Sequence, residues 1–486
     1  MIYAATAVLL AALWPFAALW FQTPFRRTFP RLAVYLGLAL LLATAAILAS
    51  AFALPTLTLA AAPVALAAIL AQLWRARPSF GASKNLPPGE LKVLPAQAWL
   101  DPDFYQKQFE TYGPVFKSSH FLQPMVCIVG LDIGFEALRE HEGNALVPPE
   151  ASFARYIPCS YIRSMSDADH KHYRPILQAA ISSEVNDALA PQVAECLKRH
   201  LDRMAADGAP RLGQYAREAL YEALFLLFYG VQPGSPDALR LRDLYRTLDL
   251  AHQRRATVWS PADAKVRRAL DETLEILRRN IGNEPSYLQA AKVHDDTVLL
   301  NLVFLLQVTC TDLAGLFDWI VKKLTENPVW AARLRAGDDP TLGRRIISEV
   351  FRLEQSEHIY RKVAKPFQLR GYTIPKGWLF RICVRESHHT APHFENPEQF
   401  NPDRFLNRTY GPTEYAPFGM FRRRCIGVDT GLALGSILAK TLVDHYTWEV
   451  TNPGRPEFRG WHWTPGTAFA IRLATAPPKP PVGERL

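Results

Sequence analysis

One cysteine lies in a sequence context that favours its ionised form. Cys425 directly follows the three arginines Arg422–Arg424, and a strongly helical pattern begins just after it. The dipole and free backbone N–H groups of a helix N-terminus, together with nearby cations, stabilise a thiolate. A thiolate serves as a nucleophile or as a metal ligand. No local arrangement of His and Asp supports a nucleophile, so the pattern favours a metal ligand.

A second polar position interrupts the most apolar stretch of the chain beyond residue 75. Residues 299–323 are apolar nearly all round, which predicts a helix buried in the middle of the protein. Asp312 lies near the centre of this stretch, beside Thr309 and Thr311. Because a buried, unpaired carboxylate is costly, we expect Asp312 to serve a buried partner or a polar pocket.

The segment Phe418–Gly427 resembles the haem-binding signature of the cytochrome P450 family, which has the form FGxGxRxCxG. The fixed positions that match are Phe418, Gly419, Arg423, Cys425 and Gly427. Phe421 takes the position of the second glycine. The resemblance implies that the Cys425 thiolate is the axial ligand of a haem b iron.

Further motifs of this family follow in the expected order, and the resemblance covers about residues 86–475. The matching segments are Leu86–Gly89 (the proline hinge), His170–Arg174 (the WxxxR helix, with His for Trp), Glu349–Arg352 (the ExxR pair) and Asn401–Phe405 (the PERF segment, with Asp403 for Glu). Glu349 and Arg352 lie three residues apart on one helix face and can pair side by side. The resemblance implies that Arg404 joins them in an ion network that holds the cysteine loop.

The resemblance also assigns basic residues to the haem propionates. Arg174 and Arg423 are expected to bind them, with His170 and Arg361 as further candidates. Arg422 and Arg424 are expected either to face an acidic electron donor or simply to be solvated.

The central-helix motif departs from the family pattern, which is A/G-G-x-D/E-T. The acid is retained as Asp312, whereas Cys310 replaces a glycine and Leu313 replaces the alcohol. The resemblance implies that an acid–alcohol pair delivers protons to dioxygen, and leucine cannot donate a hydrogen bond. Thr309 lies one helical turn before Leu313, so its hydroxyl, a bound water or a substrate group is expected to stand in.

The elements that position these residues are mostly helical. Helical periodicity predicts helices over residues 182–206, 213–230, 237–252, 261–281, 295–325, 342–355 and 428–444. Strand signals are sparse, and the best are Met125–Val129, Phe367–Leu369 and Trp378–Val384. The pattern predicts a mainly α, α+β body with small sheets and no alternating βαβ units. A helix-rich body of this kind suits the cytochrome P450 fold.

Composition and charge restrict the class of protein. The chain has 486 residues and six cysteines, with 49% hydrophobic and 21% charged residues, which excludes wholesale disorder. The cysteines form no close pairs, so a disulfide scaffold and a CxxC zinc module are excluded. A net charge of +9 and a pI near 9.2 suit nucleic acid or an anionic membrane. The placement of the charges favours the membrane, and no nucleic-acid partner is expected.

Residues 1–75 are predicted to form a membrane anchor. Tyr3–Phe21 carries no charge, and Leu32–Trp74 runs 43 residues without Asp, Glu, Lys, Arg or His. Since one span needs about 20 apolar residues, we expect transmembrane helices at about 3–21, 32–53 and 57–74. Alternatives are a cleaved signal peptide at the start, one Ala-rich span that lies in the membrane interface, or a long buried helical hairpin of a soluble protein.

Positive charge sets the expected orientation of this anchor. Basic residues follow the first span (Arg26, Arg27, Arg31) and the third (Arg75, Arg77, Lys84). The positive-inside rule then puts the N-terminus outside and everything after residue 75 in the cytoplasm. A proline-containing linker over 76–91 and a haem-thiolate catalytic domain over 92–486 are expected to follow.

Together with the anchor, the resemblance to the cytochrome P450 family implies a membrane-anchored oxidoreductase. It is expected to activate dioxygen and to hydroxylate or otherwise oxidise a small, lipophilic organic substrate. Electrons would come from a separate NAD(P)H-fed donor, either a ferredoxin with its reductase or a flavoprotein reductase, since the chain has no flavin or nucleotide motif. Alternatives are a peroxide-using or isomerase/dehydratase-type enzyme that does not need the proton-delivery threonine, and a non-enzymatic membrane haem sensor.

Overall fold

The computed structural model of the chain describes ten segments in detail, together with scattered helical positions between 3 and 64. The segments are 85–91, 97–120, 123–149, 153–208, 212–253, 261–283, 285–355, 358–390, 393–458 and 462–476. The chain divides into two compact units. The first comprises Met1–Val129, Asn144–Val147 and Arg361–Arg381, and the second comprises Gly130–Gly143, Pro148–Tyr360 and Ile382–Leu486.

Helices are the main element of the described chain. They are α1 (Gln97–Leu100), α2 (Phe104–Tyr112), α3 (Leu131–His141), α4 (Asp167–Ala180), α5 (Ser183–Asp207), α6 (Leu212–Tyr229), α7 (Pro236–Gln253), α8 (Pro261–Arg279), α9 (Tyr287–Ala290), α10 (Asp296–Glu326), α11 (Pro328–Ala336), α12 (Leu342–Leu353), α13 (Val384–Thr390) and α14 (Val428–His445). The strands are β1 (Val115–His120), β2 (Gln123–Ile128), β3 (Leu146–Val147), β4 (Ile359–Val363), β5 (Phe367–Leu369), β6 (Tyr372–Ile374), β7 (Leu379–Ile382), β8 (Tyr446–Asn452), β9 (Glu457–Phe458), β10 (Trp463–Thr464) and β11 (Ala470–Thr475).

The first unit is built around a five-stranded sheet in the order β1–β2–β7–β4–β3. β1 and β2 pair antiparallel from Val115 with Ile128 to His120 with Gln123. Successive residues Met125–Ile128 are fully buried, so both faces of β2 are covered and its sequence is a continuous apolar run. The proline hinge joins this sheet, because Lys117 donates its backbone N–H to the Pro88 carbonyl at 2.7 Å.

The second unit is organised around α10, which packs against α6, α12 and α14. Asp295 caps the helix by accepting the Val298 N–H at 2.8 Å. In the described part of the chain α10 is the one helix long and apolar enough to cross a membrane, but 72% of its most apolar stretch is buried inside the protein. It is a core helix, as its sequence predicted.

The seven predicted helices are confirmed as α5, α6, α7, α8, α10, α12 and α14, with ends within two residues of those expected. The three strand signals are confirmed as β2, β5 and β7. Strands β8 and β11 had no clear signal, because they pair with each other across the chain and keep one exposed face. Strands of this kind are stabilised by their partner more than by their own pattern. The predicted spans 3–21, 32–53 and 57–74 are described only in part. Positions 5–10 and 42–49 are helical, as are a few single positions, and the rest of the three spans lies outside the described residues.

Candidate functional site

The segment Phe418–Gly427, here termed the thiolate loop, turns back on itself before α14. The Cys425 N–H donates to the Phe418 carbonyl at 2.9 Å, and the Gly419 N–H donates to the Ala416 carbonyl at 3.0 Å. Gly419 has φ of 76°, a left-handed conformation that glycine adopts without steric cost. These bonds fix the backbone that carries Cys425.

The Cys425 sulfur lies at the N-terminus of α14, as predicted. Gly427 is the N-cap of this helix, and its N–H donates to Cys425 Sγ at 3.3 Å. The side chain of Cys425 is exposed, unlike the buried Cys127, Cys196, Cys310 and Cys383. An exposed sulfur that receives an N–H at a helix N-terminus is stabilised as a thiolate and is accessible to a ligand.

Phe421, which replaces a family glycine, keeps the backbone conformation of a glycine. Its φ is 60°, in a region that a residue with a Cβ rarely adopts. Its ring meets Phe135 of α3 edge-on, with centroids 5.8 Å apart, and Arg422 lies over the ring at 5.4 Å. Aromatic packing therefore accompanies the left-handed turn.

The predicted propionate ligands lie in different surroundings. Arg174 donates to the Arg424 carbonyl at 2.8 Å; burial lowers the pKa of Arg174, and the charge of Cys425 opposes that shift. Arg174 is therefore within electrostatic reach of the thiolate. His170, one turn earlier on α4, is buried. Arg361 lies on β4 in the first unit and is also buried.

The guanidinium group of Arg423 donates hydrogen bonds to acceptors within the protein. Its Nη1 donates to the carbonyls of Ile162 and Arg163. Its Nη2 donates to the Met165 carbonyl at 2.9 Å and to Asp167 Oδ1 at 3.0 Å. Arg423 thus ties the thiolate loop to the chain that enters α4. Its neighbours Arg422 and Arg424 are exposed, as predicted.

The structure brings Glu349, Arg352 and Arg404 together as the ion network. Arg352 donates to both Glu349 oxygens at 2.8 and 2.9 Å, and Arg404 Nε donates to Glu349 Oε1 at 3.1 Å. Glu349 and Arg352 are wholly buried. Both arginines also donate to the Gln399 carbonyl. A buried network of this kind fixes geometry, since each charge has its hydrogen-bond partners.

His388 connects the ion network to the residues just before the thiolate loop and was missed from the sequence. Its carbonyl accepts from Arg352 Nη1 at 3.4 Å, while its Nε2 accepts the Ala416 N–H at 3.1 Å. Burial holds the pKa of His388 well below its ordinary value, so the ring is neutral. The contact spans 28 residues of chain, and no local pattern signals it.

The predicted proton-delivery residues lie on α10. Leu313, in the alcohol position, is buried, as is Cys310, whereas Thr309 is half-buried. Two polar neighbours of Asp312 were missed from the sequence. Gln355 Nε2 donates to the Asp312 carbonyl at 2.5 Å, and His462 Nδ1 lies 3.8 Å from Asp312 Oδ1.

The donor set around Cys425 fits a haem. In the described residues, no group of three or more His, Cys, Asp or Glu side chains could hold a metal ion. A lone, exposed sulfur suits an iron that brings its own equatorial nitrogen ligands. The Gly427 N–H beside the sulfur and the nearby Arg174 supply the stabilisation that an anionic ligand needs.

Comparisons with known proteins agree with this geometry. A family model described as Cytochrome P450 matches residues 341–463. Cytochrome P450 26A1 of Danio rerio is 23% identical over 404 residues, which cover 72% of this chain and 81% of that protein. Abscisic acid 8'-hydroxylase of Solanum lycopersicum is 24% identical over 213 residues, which cover 40% of this chain and 44% of that protein.

Solved structures show the same fold. The retinoic-acid-bound cyanobacterial CYP120A1 matches 81% of this chain and 100% of its own, with a TM-score of 0.63 and 20% sequence identity. The matched family model includes both Glu349 and the thiolate loop. The fold, the family model over residues 341–463 and the curated relatives together support this chain as a member of the cytochrome P450 family, whose members are haem-thiolate oxidoreductases.

Proposed function

We propose that this chain is a membrane-anchored monooxygenase that activates dioxygen at a haem b held by Cys425 and hydroxylates or otherwise oxidises a small, lipophilic organic substrate. One observation carries the proposal: Cys425 Sγ is exposed and receives the Gly427 N–H at the start of α14. A haem bound there supplies dioxygen activation, with the thiolate donating electron density to the iron.

The protein's own residues hold the cofactor and move protons. Cys425 ligates the iron, while Phe418, Gly419 and Gly427 shape the loop beneath it. Arg174 and His170 bind propionates. Arg423 and Arg361 are further propionate partners, although Arg423 already donates to backbone carbonyls and Asp167.

The ion network and the central helix have separate tasks. The bonds among Glu349, Arg352 and Arg404 support a role in holding the thiolate loop in position. Asp312 supplies protons to the reacting oxygen, and the Thr309 hydroxyl, a bound water or a substrate group stands in for the missing alcohol.

Electrons come from a separate, NAD(P)H-fed donor, either a ferredoxin with its reductase or a flavoprotein reductase. The exposed arginines Arg422 and Arg424 on the thiolate loop support an acidic partner on that face. Complementary charge of this kind speeds encounter and sets orientation more than it sets affinity.

Residues 1–75 form a multi-pass anchor that leaves the catalytic domain, 92–486, in the cytoplasm. The long uncharged stretches support this, as does the pairing of arginine clusters with predicted span ends. An anchor of this kind favours a substrate that enters from the bilayer, and the hydroxylase among the relatives supports a hydroxylation. Deleting residues 1–75 should release a folded, haem-loaded body from membranes. Continued tight membrane binding would show that the body itself inserts.

Turnover by the full-length protein in lipid tests the activity. An optical titration against fatty, terpenoid and polar compounds first selects a ligand, because displacing the iron's water shifts the haem absorption. With that ligand, ferredoxin, its reductase, NADPH and isotopically labelled dioxygen, the product should carry one labelled oxygen. Product that carries no labelled oxygen, or product that forms only under anaerobic conditions, would contradict the proposal.

A second activity is favoured by Leu313, which is buried and cannot donate a hydrogen bond at the alcohol position. An enzyme that uses peroxide, or that isomerises or dehydrates an oxygenated substrate, does not need protons delivered to dioxygen. Efficient turnover with hydrogen peroxide, and none with reductase and dioxygen, would favour this second activity.

A further inference from the structure

Asp312 has two buried polar neighbours that come from distant parts of the chain. Gln355 follows α12, and His462 immediately precedes β10. They are 4% and 5% exposed, whereas the Asp312 side chain is 40% exposed. We term these three residues the polar cluster. The polar cluster lies midway along α10, whose buried side chains are mostly apolar.

The side-chain amide of Gln355 uses its nitrogen in a hydrogen bond, whereas its oxygen is unpaired among the described residues. Its Nε2 donates to the Asp312 carbonyl, and because a carbonyl only accepts, the nitrogen must face it. Its Oε1 is buried and has no hydrogen-bond partner among the described residues. A buried acceptor without a donor is costly. Gln355 Oε1 therefore requires a hydrogen-bond donor.

His462 is held against α10 by its surroundings. Trp319 of α10 donates its Nε1–H to the carbonyl of the next residue, Trp463, at 2.8 Å. Gly315 lets the ring approach, since a Cβ there would lie 3.0 Å from His462 Nε2. Burial lowers the pKa of His462 to about 4. The ring is therefore neutral, with one nitrogen that donates and one that accepts.

The gap between His462 and Asp312 suits a bridging group. At 3.8 Å, Nδ1 and Oδ1 are too far apart for a direct hydrogen bond. A water or hydroxyl bridges polar atoms across such a gap when it finds two to four partners. The carboxylate and Gln355 Oε1 accept hydrogen bonds, and the His462 ring can donate one. With Asp312 ionised, these two acceptors and one donor match a water molecule, which donates two hydrogen bonds. With Asp312 protonated, Asp312 and His462 donate and Gln355 accepts, which matches a hydroxyl group with one hydrogen.

We propose that Asp312, Gln355 and His462 form a binding site for one hydroxyl group, carried by a water molecule or by the substrate, which replaces the alcohol missing at Leu313. This inference rests on the proposed monooxygenase function. The bound hydroxyl takes a proton from the Asp312 carboxyl and passes its own proton to the reacting oxygen, so the hydroxyl is regenerated and no electron moves. The Asp312 carboxylate, whose side chain is 40% exposed, takes its next proton from solvent. Gln355 and His462 act through this hydroxyl and are positioning residues.

A high-resolution structure of the haem-loaded, full-length protein tests the site without turnover. With or without the selected ligand, one hydroxylic oxygen should lie within hydrogen-bond distance of Asp312 Oδ1, Gln355 Oε1 and His462 Nδ1. A water in the ligand-free state identifies solvent as its source, whereas an oxygen seen only with ligand identifies the substrate. No such oxygen in either state overturns the proposal.

Substitutions test the role. Gln355→Leu and His462→Phe should each lower the product formed per electron by about tenfold and raise peroxide release, since proton delivery contributes at least that much. His462→Gln keeps a hydrogen-bond donor and should retain more coupling than His462→Phe. The double variant Asp312→Asn/Gln355→Leu should be no worse than Asp312→Asn alone, because both act on one hydroxyl. Coupling that is unchanged in Gln355→Leu and His462→Phe overturns the proposal.

A matched control separates this role from simple packing. His200 is a buried histidine whose Nε2 lies 3.2 Å from Glu222 Oε2, elsewhere in the second unit. His200→Asn should leave the coupling unchanged. An equal loss in His200→Asn would mean that disturbing any buried histidine lowers coupling.

Failure of this inference differs from failure of the proposed function. If the wild type turns over with reductase and dioxygen while the variants match it, only the hydroxyl site is wrong. If the wild type lacks the thiolate-type carbon monoxide spectrum, or forms no labelled product, the proposed function itself is wrong. The structural test of the hydroxyl stands in either case.

Discussion

The thiolate loop and the segment Thr309–Gly315 of α10 differ in how they meet their tasks. In the thiolate loop, the family pattern is kept at all but one fixed position, and local bonds fix the backbone around Cys425. In the α10 segment the acid remains but the alcohol is lost, and polar groups come instead from Gln355 and His462.

The difference follows from what each task demands. The proposed metal ligand, Cys425, must present its sulfur in one position, and the buried ion network and His388 restrain the residues that lead into that loop. Proton delivery needs only a hydroxyl at the right place, which a side chain, a water or a substrate can supply. Such a region tolerates replacement of its residues, provided that another donor takes over.

The largest effect is expected from a substitution of the proposed iron ligand in the thiolate loop. Cys425→Ser removes the soft anionic sulfur, so the reduced protein should lose the thiolate-type carbon monoxide spectrum entirely. The control is Cys159→Ser, which changes a partly buried cysteine whose Sγ lies 3.9 Å from the Tyr173 hydroxyl. It should keep the spectrum. An unchanged spectrum in Cys425→Ser would end the assignment of the ligand.

Next in size is loss of the ion network. Glu349→Gln leaves Arg352 buried without its anion, which should cost about 3–5 kcal/mol. The change in the free energy of unfolding is measured by following the loss of the thiolate-type carbon monoxide spectrum in urea. Glu449→Gln, which breaks the exposed 3.1 Å pair with Arg472, should cost less than about 1 kcal/mol. Equal costs would show that the network does not hold the loop.

Acid should act on the same region through His388. Its pKa is held well below the ordinary value in the folded protein, so below a pH of about 6.5 the unfolded chain binds a proton that the folded one does not. The free energy of unfolding should therefore decrease as the pH is lowered further, by up to about 1.4 kcal/mol per pH unit from this group. Urea unfolding at several pH values measures the slope. His388→Gln should flatten it, and an unaltered slope would contradict the role of the ring.

The smallest expected effect concerns Phe421. Phe421→Gly relieves a left-handed φ, worth roughly 1–2 kcal/mol, but removes the edge contact with Phe135, worth about 0.5–1.5 kcal/mol. The two terms should nearly cancel in urea unfolding. Phe135→Leu removes only the contact and should destabilise. A large gain in Phe421→Gly would mean that the ring contributes nothing to the loop.

The sequence predicted what local patterns encode. Helical periodicity located α10 and α12, and the spacing of Glu349 and Arg352 predicted their pair. The position of Cys425 at a helix N-terminus followed from the apolar pattern after it. His388, Gln355 and His462 were not predicted, because their partners lie far along the chain and contact depends on tertiary packing. The left-handed φ of Phe421 was not predicted, because phenylalanine rarely adopts that conformation.

The central claim is that the thiolate loop holds the cofactor while Asp312 and its neighbours supply protons for dioxygen chemistry. Turnover of Asp312→Asn with two oxidants tests it most directly. With reductase and dioxygen, product formation should fall by about tenfold or more. With hydrogen peroxide, where that proton supply is not needed, it should stay within about twofold of the wild type, with the thiolate spectrum intact. An equal fall with both oxidants, or no fall with either, would contradict the claim.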